Sequence, residues 1–287
     1  MDIADSEKHL VVNCLLSTDS VLNMYVGRSL GLLEDDYNSN SLVNNATIQL
    51  FEDGVFVEEL QFCGTPEYEL VNSYKSTITP KIGSTYSIEV SAPGYPTVSA
   101  NCVIPERVEI GSLSTYFTIN EWGEEILQMS IGLNDNAATE NYYQIGLSSI
   151  NTYEYYDYEL DSLITYSQKE DLWAYPVDPW LDNIANASEN GLSFSDATFN
   201  GTNIVLNLST YIYSYNTNET KILIDLYSIS EEYYNYLKSK SLYEESDPAF
   251  SEPVQIFSNI ENGLGIFAGA SISSDSVIVT STPIEKK

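Results

Sequence analysis

Ala46-Thr47-Ile48-Gln49-Leu50-Phe51-Glu52-Asp53-Gly54-Val55-Phe56-Val57 is the stretch whose reading decides the fold. Ala46, Ile48 and Leu50 alternate with Thr47, Gln49 and Phe51, the two-residue period of a strand with one mainly apolar face. Asp53-Gly54 suits a type I′ turn, which needs positive φ at both central positions, so Val55-Phe56-Val57 is expected to return as the paired strand. Further on, Pro80-Lys81-Ile82-Gly83 turns the chain before Tyr86, Ile88 and Val90 alternate with Thr85, Ser87 and Glu89. After Ala92-Pro93-Gly94-Tyr95-Pro96, the residues Val98, Ala100, Cys102 and Ile104 share one face, and Pro105, with no N–H for a ladder, closes the strand. Upstream, residues 10–16 form a β-rich run and 21–26 a second one. Short strands separated by turn formers over about one hundred residues predict an immunoglobulin-like β-sandwich spanning 1–105.

Beyond Pro105 the strands lengthen. Residues 126–133 and 142–150 are expected to pair across Asn134-Asp135-Asn136, with 153–158 and 164–166 extending their sheet. Residues 170–192 read as a long loop carrying Trp173, Tyr175, Pro176, Pro179 and Trp180, and long loops in compact domains are often functional. Strands are expected again at 204–208 and 221–229, and closing strands at 263–267 and 277–280. Ser230-Glu231-Glu232 predicts a helix over 231–243, a serine N-cap followed by acids that suit the helix dipole, with Tyr233, Tyr234, Leu237 and Leu242 on its packed side. The fold class is therefore mainly β, with a second antiparallel β domain over 106–287, sandwich or barrel-like, carrying one helix.

Of the 287 residues, 42 are acidic and 11 basic, a formal net charge of −31. A phosphate backbone would be repelled, which excludes nucleic acid as a partner, and an anionic membrane surface is disfavoured unless a lipid anchor overrides it. The 23 tyrosines argue for a folded chain rather than an acidic disordered one. There is no apolar run of the ~18 residues needed to span a bilayer, and Met1-Asp2-Ile3-Ala4-Asp5 does not read as a signal peptide. Cys14, Cys63 and Cys102 are odd in number and widely spaced, and buried free thiols are the expected state; a Cys14–Cys102 disulfide is the alternative, requiring the first and last strands of the sandwich to face each other.

The residues do not compose a catalytic set. His9 is the single histidine, so neither a Ser-His-Asp triad nor a multi-histidine metal site is expected, and no cofactor motif is present. Glu34-Asp35-Asp36 with Asn38 and Asn40 invites a calcium reading but lacks the alternating ligands of an EF-hand, so a solvated loop is expected there. Glu154, Asp157, Glu159 and Asp161 would serve a two-carboxylate glycosidase only if two of them opposed each other across a cleft. What remains is aromatic density between Tyr142 and Trp180. For Tyr153, Tyr155 and Tyr158 strand packing is expected; Trp173, Tyr175 and Trp180 are the candidate contact residues for a ligand or partner.

Several stretches in order along the chain resemble a Bacteroidetes family catalogued as domain of unknown function 4249. They are Leu10-Val11-Val12-Asn13, Val43-Asn44-Asn45-Ala46-Thr47-Ile48, Gly83-Ser84-Thr85-Tyr86 and Asn141-Tyr142-Tyr143. The run Ile229-Ser230-Glu231-Glu232-Tyr233-Tyr234-Asn235-Tyr236-Leu237 follows, and the most distinctive is Phe250-Ser251-Glu252-Pro253-Val254-Gln255-Ile256-Phe257-Ser258-Asn259-Ile260 continuing into Gly263-Leu264-Gly265-Ile266-Phe267. The resemblance implies an exported, lipid-anchored outer-membrane protein at the cell surface, with an N-terminal domain similar to carboxypeptidase regulatory-like sandwiches. It implies a role beside a TonB-dependent transporter in nutrient uptake, with that transporter or a surface polymer or peptide as partner. It transfers no catalytic residues. A structural or adhesive subunit is the alternative role. In such bacteria Asp-Ser-aliphatic triplets are O-glycosylation signals, a form that Asp19-Ser20-Val21, Asp161-Ser162-Leu163 and Asp275-Ser276-Val277 fit.

Overall fold

A computed structural model of the chain describes residues 8–31, 41–64, 73–136, 138–184, 186–188, 191–212, 219–246 and 254–280. The strands of the first part are β1 (Leu10–Ser17), β2 (Asn23–Arg28), β3 (Thr47–Glu52), β4 (Val55–Glu59), β5 (Gln61–Cys63), β6 (Ser73–Lys75), β7 (Thr85–Ser91) and β8 (Val98–Val103). Then come β9 (Ile110–Ile119), β10 (Glu125–Asn134), β11 (Tyr142–Asp157), β12 (Ser162–Leu172), β13 (Tyr175–Pro176), α1 (Pro179–Ile184), β14 (Asn186–Ser188) and β15 (Gly191–Ser195). The chain closes with β16 (Asn203–Thr210), β17 (Glu219–Ile229), α2 (Glu231–Glu245) and β18 (Leu264–Thr280). The architecture is mainly β, with several antiparallel sheets and two short helices. The Glu34-Asp35-Asp36 triplet with Asn38 and Asn40, expected as a solvated loop, and the segment 281–287 lie outside the described residues.

Two compact units result, one from Met1–Arg107 with Ser228–Ser271, the other from Val108–Tyr227 with Ile272–Lys287. A single cut after residue 105 therefore differs from the structure in one respect: α2 and the first half of β18 belong with the N-terminal strands. The cause is strand pairing that no local pattern announces. β1 pairs in parallel with β18, from Val11 opposite Leu264 to Ser17 opposite Ala270.

In the first unit, β4-β3-β7-β8 make one antiparallel layer and β5-β6-β2-β1 with residues 264–271 of β18 make the other. The Asp53-Gly54 hairpin is as the sequence predicts, with φ of 51° and 77°. Leu10, Val12, Cys14 and Leu16 of β1 meet Ile48, Leu50, Tyr86, Ile88, Val90 and Cys102 of the opposite layer in one core. β18 runs unbroken over 264–280, where two separate closing strands are the sequence expectation: its polar middle passes from buried Ser271 and Ser273 to exposed Ser274, Asp275 and Ser276, so no apolar alternation marks it as strand. Gly265 makes the parallel ladder possible: its φ is +107°, and a Cβ there would stand 2.1 Å from the Val12 carbonyl oxygen.

Ser230 does not cap α2 through its side chain. Instead its N–H donates to the Gly269 carbonyl at 2.9 Å and its hydroxyl accepts from the Gly269 N–H at 3.4 Å, stitching the helix entry to β18. The helix buries Tyr234, Leu237 and Ser241, while Leu242, expected on the packed side, is half exposed because it lies one residue off the 3–4 spacing of that face. Cys14 and Cys102 are buried free thiols, and burial pushes both above the usual thiol range, Cys102 further by its proximity to Cys14. Cys63 is exposed, so the expectation of burial fails for it: β5 is an edge strand with all three residues in solvent.

In the second unit, β13-β16-β10-β9 form one antiparallel layer. β14-β15-β11-β17 with residues 272–280 of β18 form the other, and β12 hairpins onto β11. β10 and β11 do not pair with each other, contrary to the sequence expectation. β10 pairs with β9 and β16, and β11 with β12 and β15. The segment between them is pinned by Asp135, which accepts from the Tyr143 hydroxyl and from the Gly201 N–H, and by Asn141, whose N–H donates to buried Asp196 at 2.9 Å. That path carries the chain from one layer to the other, so Leu127, Met129 and Ile131 meet Tyr143, Ile145 and Leu147 across the core rather than beside them. Nor is 170–192 a loop: β12 continues to Leu172, and β13, α1, β14 and the start of β15 follow. Its prolines fit the edge strand β13 and the first position of α1, where a missing N–H costs little.

Gly265→Ala is expected to lower the unfolding free energy by ~3 kcal/mol or more, since the new methyl clashes with the Val12 carbonyl at a positive φ; a urea midpoint is the measurement. In the folded protein a thiol reagent is expected to titrate one fast cysteine, Cys63, with Cys14 and Cys102 reacting only after denaturant is added.

Candidate functional site

The chain leaves β12 at Leu172 and enters β13 at Tyr175, crossing between the two layers of the second unit through Trp173 and Ala174. Ala174 drops into the core, which turns its neighbour Trp173 outward, 55% exposed. β13 pairs with β16 so that Tyr175 lies opposite Ser209, and this brings the Tyr175 ring edge-on to Tyr211 with centroids 6.0 Å apart. Between these rings and the end of β12 is a cavity of about 130 Å³, lined also by Ser149, Glu170, Asp171, Leu172 and Thr210.

The cavity's polar groups are held in place from behind. The β11–β12 register sets Glu170 opposite Ser149 and Asp171 opposite Ser148. Glu170 accepts from the Tyr153 hydroxyl at 2.7 Å and from the Asn151 side-chain amide at 3.1 Å, and the same amide donates to Ser149 Oγ at 3.2 Å. Tyr153 in turn stacks on Tyr166, with centroids 5.3 Å apart. The bond to Glu170 raises the Tyr153 hydroxyl above the usual phenol range, helped by desolvation, as expected of a donor to an ionised carboxylate. Thr210 is only 1% exposed, and its hydroxyl has no hydrogen-bond partner. A buried hydroxyl in that condition costs roughly 1–3 kcal/mol, and Ser148, Asn151 and Asp196 of the same unit carry buried oxygens in the same condition.

Of the three candidate contact residues, the structure joins Trp173 and Tyr175 in this cavity and leaves Trp180 out. Trp180 sits on α1, packed edge-on against Phe199 at 5.9 Å. Sequence reasoning missed Tyr211, Thr210, Ser149, Glu170 and Asp171. Only the pairing of β13 with β16 and the β11–β12 register could have found them. Packing, expected for Tyr153, Tyr155 and Tyr158, describes Tyr153; Tyr155 only edges Tyr166 and stays half exposed, and Tyr158 is 89% exposed in the hairpin turn. Glu154, Asp157, Glu159 and Asp161 lie along that same hairpin end, where Asp157 accepts from the N–H groups of Glu159 and Leu160 and Asp161 from the Tyr156 hydroxyl. Among the described residues no group of three His, Cys, Asp or Glu side chains converges as a metal site.

The first unit holds a wider recess of about 370 Å³, with Glu89, Glu232 and Glu261 on its walls. Two of its polar groups serve the fold: Ser99 donates to Glu261 at 3.1 Å, and the Asn259 side chain brackets Phe267, donating to its carbonyl at 2.7 Å and accepting from its N–H at 3.0 Å. The smaller cavity, with its exposed rings and ordered carboxylate, is the better candidate.

A family model described as Domain of unknown function (DUF4249) matches residues 1–276. The chain belongs to the DUF4249 family. Among solved structures, this DUF4249 chain aligns with a collagen adhesin (CNA) from S. aureus at 9% identity, covering 96% of both chains, with a TM-score of 0.21. It also aligns with the B domain of a biofilm associated protein at 8% identity, covering 94% of this chain and 85% of that one, with a TM-score of 0.21. No curated protein matches it.

Thr210→Val, which replaces the unpartnered hydroxyl with a methyl group of similar shape, is expected to leave the unliganded protein as stable or to stabilise it by up to ~1 kcal/mol, read as an unchanged or raised Tm.

Proposed function

We propose that this DUF4249 protein is a non-enzymatic, lipid-anchored protein of the outer-membrane surface that captures a ligand at the Trp173–Tyr175–Tyr211 cavity on behalf of a TonB-dependent transporter. The observation that carries the reading is that cavity: exposed aromatic walls and a carboxylate fixed by two hydrogen bonds. Aromatic rings present flat area at low entropic cost, and polar groups placed around them fix orientation, which is how concave sites recognise small groups. The surface and transporter context is what the resemblance to the family implies. The first unit, two layers over one core with a type I′ hairpin, is read as an immunoglobulin-like sandwich of the carboxypeptidase regulatory-like kind and the second as a further sandwich. Net charge of −31 fits a soluble surface protein that avoids nucleic acid.

The test is a thermal shift with peptide and saccharide fractions of the growth medium, since a ligand that binds only the folded state raises Tm. The wild type is expected to shift with one fraction, and the Trp173→Ala/Tyr175→Ala variant to lose most of that shift. A double variant that keeps the full shift removes the cavity from the assignment. Affinity capture from native membranes is expected to recover one transporter; recovery of matrix polymer alone favours the adhesive role.

A further inference from the structure

The cavity at the β12–β13 crossover has a one-sided chemistry. Glu170 and Asp171 line it with Trp173, Tyr175 and Tyr211, the Glu170 side chain sharing the face of Ser149, and none of the lining residues is basic. Lys169, next in sequence to Glu170, is directed elsewhere: its Nζ lies 4.0 Å from Asp225. An anionic ligand would meet like charge with no counter-ion. Size restricts the choice further, because about 130 Å³ is well below the roughly 300–1,000 Å³ of pockets that enclose a whole drug-sized ligand, and fits a projecting head group. Aromatic faces attract cations through their quadrupole, most strongly tryptophan, and adjacent carboxylates neutralise the charge that such a group brings in.

We infer that this cavity receives an organic cation, a primary ammonium or guanidinium on an alkyl stem, held by cation–π contact with the three rings and by a charge-assisted hydrogen bond to Glu170, whose face of β12 is the one that Ser149 shares. The inference rests on the ligand-capture reading of the same cavity and adds the class of ligand. Lysine or arginine side chains of peptides and free polyamines share this head group. The strongly negative protein would draw either one in, with an on-rate that falls as salt is raised.

The experiment is calorimetric titration of the whole protein with four probes: Nα-acetyl-lysine amide, Nα-acetyl-arginine amide, cadaverine and the neutral Nα,Nε-diacetyl-lysine amide, with methyl glucoside as a sugar control. At least one cationic probe is expected to bind, and the diacetyl probe and the glucoside to bind at least about tenfold more weakly. Tighter binding of the amino-acid amides assigns the source to peptides, and tighter binding of cadaverine assigns it to polyamines. Trp173→Ala and Glu170→Gln are each expected to weaken the cationic probe about five- to tenfold. Both variants are expected to keep the wild-type Tm, which separates loss of a contact from loss of fold. Glu121→Gln, an exposed acid in the β9–β10 turn, serves as the control and is expected to change nothing. Equal binding of the neutral and cationic probes, failure of every cationic probe at millimolar concentration, or indifference to Trp173→Ala overturns the inference. Glucoside binding that Trp173→Ala abolishes would overturn the cation assignment and leave ligand capture standing. Loss of both readings would appear as no probe binding together with an undiminished thermal shift in the double variant.

Discussion

The parallel ladder between β1 and β18 is the constraint from which the first unit follows. It inserts residues 264–271 beside the first described strand, and Gly265 is what lets the two backbones approach at Val12. Everything around it is arranged to serve that contact. Asn259 holds Phe267 by both its N–H and its carbonyl, Ser230 holds Gly269 in the same two-handed way, and the core beneath draws Phe267 into contact with residues from both layers. An antiparallel hairpin is specified by its own turn; a parallel neighbour distant in sequence is specified only by the shape and hydrogen bonding of its surroundings.

That difference explains how much was legible in the residues. The β3–β4 hairpin could be read because Asp53-Gly54 encodes its turn and the alternation of Ile48 and Leu50 encodes its face. The β7 and β8 strands could be read for the same reason, and the helix over 231–243 needed only two more residues at its end. What could not be read was partnership. Alternation along β10 and β11 says that each has an apolar face, and it is silent on whether those faces lie side by side or opposite; the hydrogen bonds of Asp135 and Asn141 decide for the latter. The capping role foreseen for Ser230 failed on the same ground, because a distant strand took the hydroxyl first.

The candidate site repeats the pattern at smaller scale. Trp173 and Tyr175 stood out as exposed-looking aromatics in a proline-rich segment, and they do share a cavity. Trp180 stood out equally and is spent on packing against Phe199. The partners that give the cavity its chemistry come from β11, β12 and the end of β16, brought together by register alone. Ser149, Glu170 and Thr210 carry no signal of their own in the sequence, and only register brings them to one cavity.

The ladder between β1 and β18 also orders events in time. A chain made from its N-terminus presents β1 long before residues 264–271 exist, so one long flank of that strand must wait, unpaired, for almost the whole of synthesis. Contacts so distant in sequence fold slowly and leave open strand edges exposed to other chains in the interval. Cells that make this protein therefore gain from keeping the growing chain extended or escorted until its last strands emerge, and a prematurely terminated product would carry an edge ready for aggregation.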